Sequence, residues 1–385
     1  MNKMIIAPDS YKGSLTAIQV CDIVEEVAHK IYPETEIVKI PIADGGEGLV
    51  DAMLIACQGE KVWVEVQDPL GRNIRAFYGI LPNGMAVIEM AAASGLPLLK
   101  EEEKDVLRTT TYGTGQLILD ALEHGCREFI LGVGGSATND GGAGVGAVLG
   151  IRYLKEDGQV INAGGELMQL ASIDTAAIVD GLLDSDFVIA CDVTNPLYGS
   201  NGAAHVYSRQ KGASEHEVDL LDQGLRHLAQ VVYKQTGMDL QSMEGTGAAG
   251  GIVVPLLAFA SARLVRGLDV VLDAVGFDEQ LEGCDLVITG EGRTDFQSSM
   301  GKVLSGVGQR SKAKGVPVIA ISGALQDGYE ELYDLGITAM FATTRRICTL
   351  DEAFAEAEKN LREATEDILR LIKWCWDKFG NPLYR

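Results

Sequence analysis

Apolar residues recur along this chain in two alternating periods, and that alternation lays out its elements. A short apolar run at residues 4–7 leads through Pro8-Asp9-Ser10-Tyr11-Lys12-Gly13-Ser14 into a segment where Val20, Val24, Val27 and Ile31 share one face at helical spacing. This predicts a strand, a loop and a helix over 17–31. Thr16 with Gln19 supplies a capping box at the helix start. The pattern repeats as a strand over 36–43, the loop Asp44-Gly45-Gly46-Glu47-Gly48 and a helix over 49–57. Two successive strand-loop-helix units predict a parallel, doubly wound α/β sheet, and ligands of such sheets sit at the carboxyl ends of the strands, where both loops lie.

After residues 61–67 the pattern changes. Residues 74–81 and 85–90 flank Pro82-Asn83-Gly84 and read as a β-hairpin. A helix over 114–124 and a strand over 127–133 follow, and then the Gly-rich stretch 129–150, FILGVGGSATNDGGAGVGAVLG. A strand over 186–193 ends at Asp192, Ser214 with Glu217 opens another helix, and Gly245–Gly251 enters an apolar helix over 252–260. The last section returns to alternating strands (284–288, 317–321, 338–341) and helices (302–314, 329–335, 350–378). The two chain ends share one architecture and the middle differs. The expected organisation is a discontinuous domain of residues 1–70 and 284–385, with an inserted α/β domain over 71–283.

The Gly-rich stretch carries candidate chemistry. Glycine lets the backbone turn with positive φ and bring N–H groups to a bound anion, and Ser136, Thr138, Asn139 and Asp140 are residue types that cap helices. The competing use of such glycines is tight turning and close packing. The spacing is neither a P-loop nor GxGxxG, because no GxxxxGK[ST] occurs and Ala137 stands where the third glycine belongs. Asp44 and Glu47 sit at a strand end, suited to a metal ion or a substrate hydroxyl, or else to a helix N-terminus. Asp192 is placed for catalysis, metal binding or an Asx turn.

Composition narrows the function. The 385 residues carry a formal net charge of −23, which disfavours nucleic acid and anionic membranes as partners and requires local cations for any anionic substrate. No apolar run is long enough to span a bilayer, and the first ten residues form a strand pattern without a basic leader, so the expectation is a cytoplasmic protein. Seven scattered cysteines lack CxxC pairing and five histidines lack ligand spacing, against disulfides and zinc.

Six segments together resemble the type-1 glycerate kinase family: APDSYKGSLTA at 7–17, PIADGGEG at 41–48, GVGGSATNDGGAG at 132–144, CDVTNPLYG at 191–199, GTGAAGG at 245–251 and ITGEGRTDFQSSMGK at 288–302. The resemblance implies a flavodoxin-like domain built from both chain ends, an inserted α/β domain, and a cytosolic enzyme that uses Mg-ATP to phosphorylate glycerate, typically to 2-phosphoglycerate. Phosphoryl transfer asks mainly for positioning and charge stabilisation. The residues expected to cradle ATP phosphates are Gly134, Gly135, Ser136, Asn139, Asp140, Gly141 and Gly142, with Gly247 and Gly250. Lys12, Arg293 and Lys302 are the expected cations, with Ser10, Ser14 and Glu47 beside the substrate. Asp192 and Asp295 are candidate Mg²⁺ ligands, and Asp192 or Asp44 the general base. The competing functions are a kinase of another small hydroxy acid and a non-catalytic glycerate or nucleotide sensor.

Overall fold

The computed structural model describes residues 1–42, 48–299 and 302–379. The chain divides into two units, Met1–Asp44 with Val271–Arg385, and Gly45–Val270.

In the first unit the described residues form a five-stranded parallel sheet in the order Glu36–Lys39, Lys3–Ile6, Leu286–Thr289, Val318–Ser322, Ala339–Ala342. Numbered along the chain this is the flavodoxin-like order 2-1-3-4-5, which reverses direction between its first and third strands. Met4, Ile5 and Ile6 are all buried, as are Leu286, Val287 and Ile288, the continuous apolar pattern of strands covered on both faces. The helix Ala17–Ile31 packs Val20, Val24 and Val27 into this core, and its Thr16–Gln19 capping box forms as the sequence predicts. Ala357–Phe379 contributes Leu361, Ile368 and Leu369. The single helix expected over 350–378 is broken at Glu356, whose backbone (φ −99°, ψ 8°) leaves helical geometry, so Leu350–Ala355 is separate.

In the second unit a six-stranded sheet runs Glu60–Gln67, Asn73–Ile80, Ala86–Glu89, Glu128–Gly132, Asp186–Ala190, Ser261–Val265 among the described residues. The first three strands are antiparallel neighbours and the last four pair in parallel. Phe129 and Phe187 stack across neighbouring strands with centroids 4.5 Å apart.

Both domain boundaries differ from expectation. The first falls between residues 44 and 45 rather than at 70, because Glu60–Gln67 pairs along its whole length with Asn73–Ile80. The helix Leu49–Cys57 joins the same sheet: Val50 and Leu54 fill the space over Gly79, where an added Cβ would lie 2.8 Å from Leu54 Cδ2. The second boundary falls between 270 and 271 rather than at 283. Arg310 on the helix Val303–Ala313 is 2.6 Å from Asp273 and 3.6 Å from Asp278, and Lys3 Nζ donates to Gln280 at 3.3 Å. The strand Ser261–Val265, for which the sequence offered no pattern, is an edge strand with no fully buried residue.

Candidate functional site

The four parallel strands of the second unit end at one edge of its sheet. Gly132 pairs with Ala190 on one side and Glu89 on the other, so Gly134 and Asp192 each leave the sheet two residues beyond a paired position, on adjacent strands. The loop after Gly132 is held against Met90–Leu96: Met90 N–H donates to the Gly132 carbonyl (3.0 Å), Leu96 N–H to Gly135 (2.8 Å) and Ala137 N–H to Ser94 (2.9 Å). This ladder uses two of the loop's carbonyls, those of Gly132 and Gly135, and one of its N–H groups, that of Ala137. Among the described residues no acceptor takes the N–H groups of Gly134, Gly135 or Ser136. Gly135 has φ +73° and is exposed, a conformation open to glycine at no steric cost. Three consecutive N–H groups without an acceptor on a fixed turn are the kind of donor array that can take an anion.

The remaining glycine candidates serve packing. Asn139, Asp140, Gly141, Gly142, Gly247 and Gly250 are buried. Gly250 (φ +72°) lies so close to the loop that an added Cβ would be 2.3 Å from the Thr138 carbonyl oxygen, and the Gly250 carbonyl accepts from Gly141 N–H at 2.9 Å. An added Cβ on Gly247 would stand 2.3 Å from the Pro196 carbonyl oxygen. These glycines bring backbone against backbone. Asp140 organises the turn: its carboxylate accepts from Thr111 N–H and Oγ1 (both 2.8 Å) and from Gly142 and Gly144 N–H (both 3.1 Å). The start of the helix Ala143–Leu149 is thereby satisfied from within. Burial pushes the Asp140 carboxyl above its usual range, and those hydrogen bonds oppose the rise. The Asn139 amide, Oδ1 and Nδ2 alike, and Thr138 Oγ1 are buried with no hydrogen-bond partner among the described residues.

Beneath the loop lies a residue the sequence analysis did not single out as functional. Lys211 is 2% exposed, and its Nζ donates to Ser136 Oγ and to the Thr138 carbonyl, both at 2.7 Å. Desolvation lowers its pKa to about 7, with Asp140 pulling the other way.

Asp192 is exposed, and its Oδ1 accepts from Gly267 N–H at 2.9 Å. It stands at a strand end as expected.

In the first unit two loops meet at the switch point between the first and third strands. Asp9 N–H donates to the Gly290 carbonyl at 2.8 Å, and an added Cβ on Gly292 would lie 3.1 Å from Lys12 N. Lys12 and Ser10 are exposed. Ser14 Oγ closes the turn by donating to the Tyr11 carbonyl at 2.9 Å. Arg293 is exposed and pairs with Asp295 at 3.3 Å, while Asp295 Oδ1 accepts from Gln297 N–H at 2.9 Å. Both Asp295 oxygens are thus engaged. Glu291, also missed, is buried in this loop and accepts from Ser298 Oγ. Burial raises its pKa, and the charge of the exposed Lys302 is among the effects opposing the rise. Asp44 and Glu47 lie outside the described residues. Among the described residues no group of three or more His, Cys, Asp or Glu gathers for a metal, and no helix is long and apolar enough to cross a membrane.

Comparison with known proteins agrees with this architecture. The profile of the glycerate kinase family matches residues 4–373. The chain is 45% identical to the glycerate kinase of Halalkalibacterium halodurans over 97% of its own length and 99% of the relative's. It is 46% identical to the glycerate 2-kinase of Escherichia coli over 95% and 97%. A crystal structure assigned to glycerate kinase 2 of Salmonella typhimurium superposes with a TM-score of 0.88 at 41% identity, covering 98% of this chain and all of that one. With the match running through both units and every loop described above, this chain belongs to the glycerate kinase family and is a kinase.

Proposed function

We propose that the protein transfers the γ-phosphoryl group of ATP to D-glycerate and yields 2-phosphoglycerate. The observation that carries this reading is the run of N–H groups at Gly134, Gly135 and Ser136 that find no acceptor among the described residues, at a strand end adjacent to the one bearing Asp192. Backbone N–H groups that need not reorganise are what a transferring phosphoryl group requires. The relatives named glycerate kinase and glycerate 2-kinase support the choice of acceptor and position.

In this reading the Gly134–Ser136 turn binds phosphate oxygens, and Asp192 accepts the proton of the glycerate hydroxyl. Its hydrogen bond from Gly267 N–H fixes the carboxylate's orientation. Lys12, Arg293 and Lys302 are the cations assigned to anionic substrate groups in a chain that is otherwise strongly acidic. Mg²⁺ favours hard oxygen ligands and keeps several waters, so a single exposed carboxylate such as Asp192 suits it, and the ion would supply charge neutralisation at the phosphates. The proton-accepting and metal-binding roles compete for Asp192. Asp44, the second candidate base, shares the family resemblance.

The test is ADP release from Mg-ATP with D-glycerate, with L-glycerate, glycolate and no acceptor as controls, followed by phosphorus NMR of the product. Turnover dependent on D-glycerate with a phosphorus coupling to a single methine proton supports the 2-phosphate. Coupling to a methylene pair identifies the 3-phosphate, and acceptor-independent behaviour removes the assignment.

A further inference from the structure

Lys211 sits where no surface role explains it. It ends the short turn Arg209–Lys211 between the helices Ala203–Tyr207 and Glu215–Thr236. That corner is tightly built: Gly212 turns with φ +99°, and an added Cβ there would meet the Lys104 carbonyl oxygen at 2.7 Å. The outward-facing neighbour Arg209 pairs with Glu215 at 2.7 Å. Lys211 instead turns inward and delivers its ammonium to the Gly-rich loop, 75 residues upstream.

The chemistry of that contact is directional. An ammonium donates and cannot accept, whereas a serine hydroxyl has one hydrogen to donate and two lone pairs. With Lys211 Nζ donating to Ser136 Oγ and to the Thr138 carbonyl, the Ser136 hydroxyl hydrogen is left to point away from the lysine. The N–H groups of Gly134, Gly135 and Ser136, on the same turn, have no acceptor among the described residues.

The geometry points to Lys211 as a positioning residue for phosphate binding: its buried ammonium orients the Ser136 hydroxyl as a donor and places a positive charge beneath the Gly134–Ser136 turn. This rests on the reading of that turn as the phosphate site. A cation held inside the loop also answers the problem set by a net charge of −23, because a charge in a low-dielectric setting acts on a nearby phosphate with less solvent screening than an exposed lysine. The charged group acting on Lys211 is Asp140, whose carboxylate is occupied by four donors.

The test uses the full chain and two variants, Lys211→Met, close in length and uncharged, and Ser136→Ala, which leaves the lysine in place. Calorimetry measures affinity for inorganic tripolyphosphate and for Mg-ATP at about pH 6.5 and about pH 9. The unchanged protein is expected to bind both ligands more weakly at the higher pH. Lys211→Met should lose about ten- to a hundred-fold at the lower pH, the range carried by a hydrogen bond to a charged group, and should lose the additional pH dependence. Ser136→Ala should weaken both ligands by about tenfold and keep that dependence. A lysine that merely staples the helix corner to the loop would not impose a pH dependence on anion affinity.

A folded Lys211→Met protein with both affinities within about twofold and the pH dependence intact overturns the inference. If Lys211→Met does not fold, Ser136→Ala decides, and affinity within about twofold of the unchanged protein overturns it. An unchanged protein that binds neither ligand overturns both this inference and the phosphate site. Lys211-dependent binding without D-glycerate turnover keeps the inference and removes the proposed function; D-glycerate turnover with Lys211-independent binding does the reverse.

Discussion

A buried lysine makes stability depend on pH in a direction opposite to that of a salt-bridged one. The Lys211 ammonium falls from its ordinary 10.5 to about 7 in the folded chain, chiefly through desolvation. Between those values the unfolded chain holds a proton there and the folded chain does not, so unfolding takes up a proton and stability rises with pH. Below about pH 7 both states are protonated, and the folded state bears the full cost of the buried charge. At about 1.4 kcal/mol per pH unit, the interval sets a ceiling of about 5 kcal/mol, of which about 2 kcal/mol should appear between about pH 7.5 and about pH 9.5. The measurement is a difference between two proteins, so that contributions common to both cancel. Urea unfolding of the unchanged protein and of Lys211→Met across that range should give two curves that converge or cross, the unchanged protein gaining about 2 kcal/mol relative to the variant. Parallel curves would refute a desolvated Lys211, and relative loss with rising pH would mean that Asp140 dominates its environment.

Other substitutions test separate parts of the structure. Gly250→Ala forces a side chain onto φ +72° and a Cβ to 2.3 Å from the Thr138 carbonyl oxygen, so denaturant unfolding should show a loss of about 2–5 kcal/mol. Full stability would mean that the two Gly-rich loops do not approach as described. Thr16→Ala removes the capping box of Ala17–Ile31 and should cost about 1 kcal/mol by thermal or urea unfolding, with no change in turnover. Asp192→Asn keeps an oxygen for Gly267 N–H, and kcat should fall about 10²–10⁴-fold in the folded variant; near-normal turnover would remove Asp192 as the base.

Local signals were legible because their partners lie within a turn or two of sequence. Thr16 caps Gln19, Ser214 pairs with Glu217, and the helices Ala17–Ile31 and Leu49–Cys57 begin and end where spacing places them. Which sheet the helix Leu49–Cys57 joins is not a local property. Its strand-loop-helix pattern fits either unit, and the choice follows from Glu60–Gln67 finding its ladder in Asn73–Ile80. Ser261–Val265 was illegible for a related reason: an edge strand of mixed polarity has no apolar period, and its partner Asp186–Ala190 lies some 75 residues away.

The candidate site shows the same division most sharply. Glycine in a sequence signals that something comes close, without saying whether it is an anion or another stretch of backbone. The structure separates the two by where the N–H groups go. Gly141 N–H donates to the Gly250 carbonyl and Gly247 N–H to the Asn195 carbonyl, so at those positions the close neighbour is backbone. Gly134 and Gly135 give their N–H groups to no acceptor among the described residues, while the Gly132 and Gly135 carbonyls are consumed by Met90 and Leu96. A turn that leaves three consecutive N–H donors without an acceptor, while the Gly135 carbonyl between them is taken, presents its donors to an anion. The lysine that strengthens that asymmetry could not be read from its surroundings in sequence, because Arg209-Gln210-Lys211-Gly212 has the composition of an ordinary solvated turn. Only the fold, by bringing Ser136 and Thr138 over it, distinguishes Lys211 from Arg209 two positions earlier.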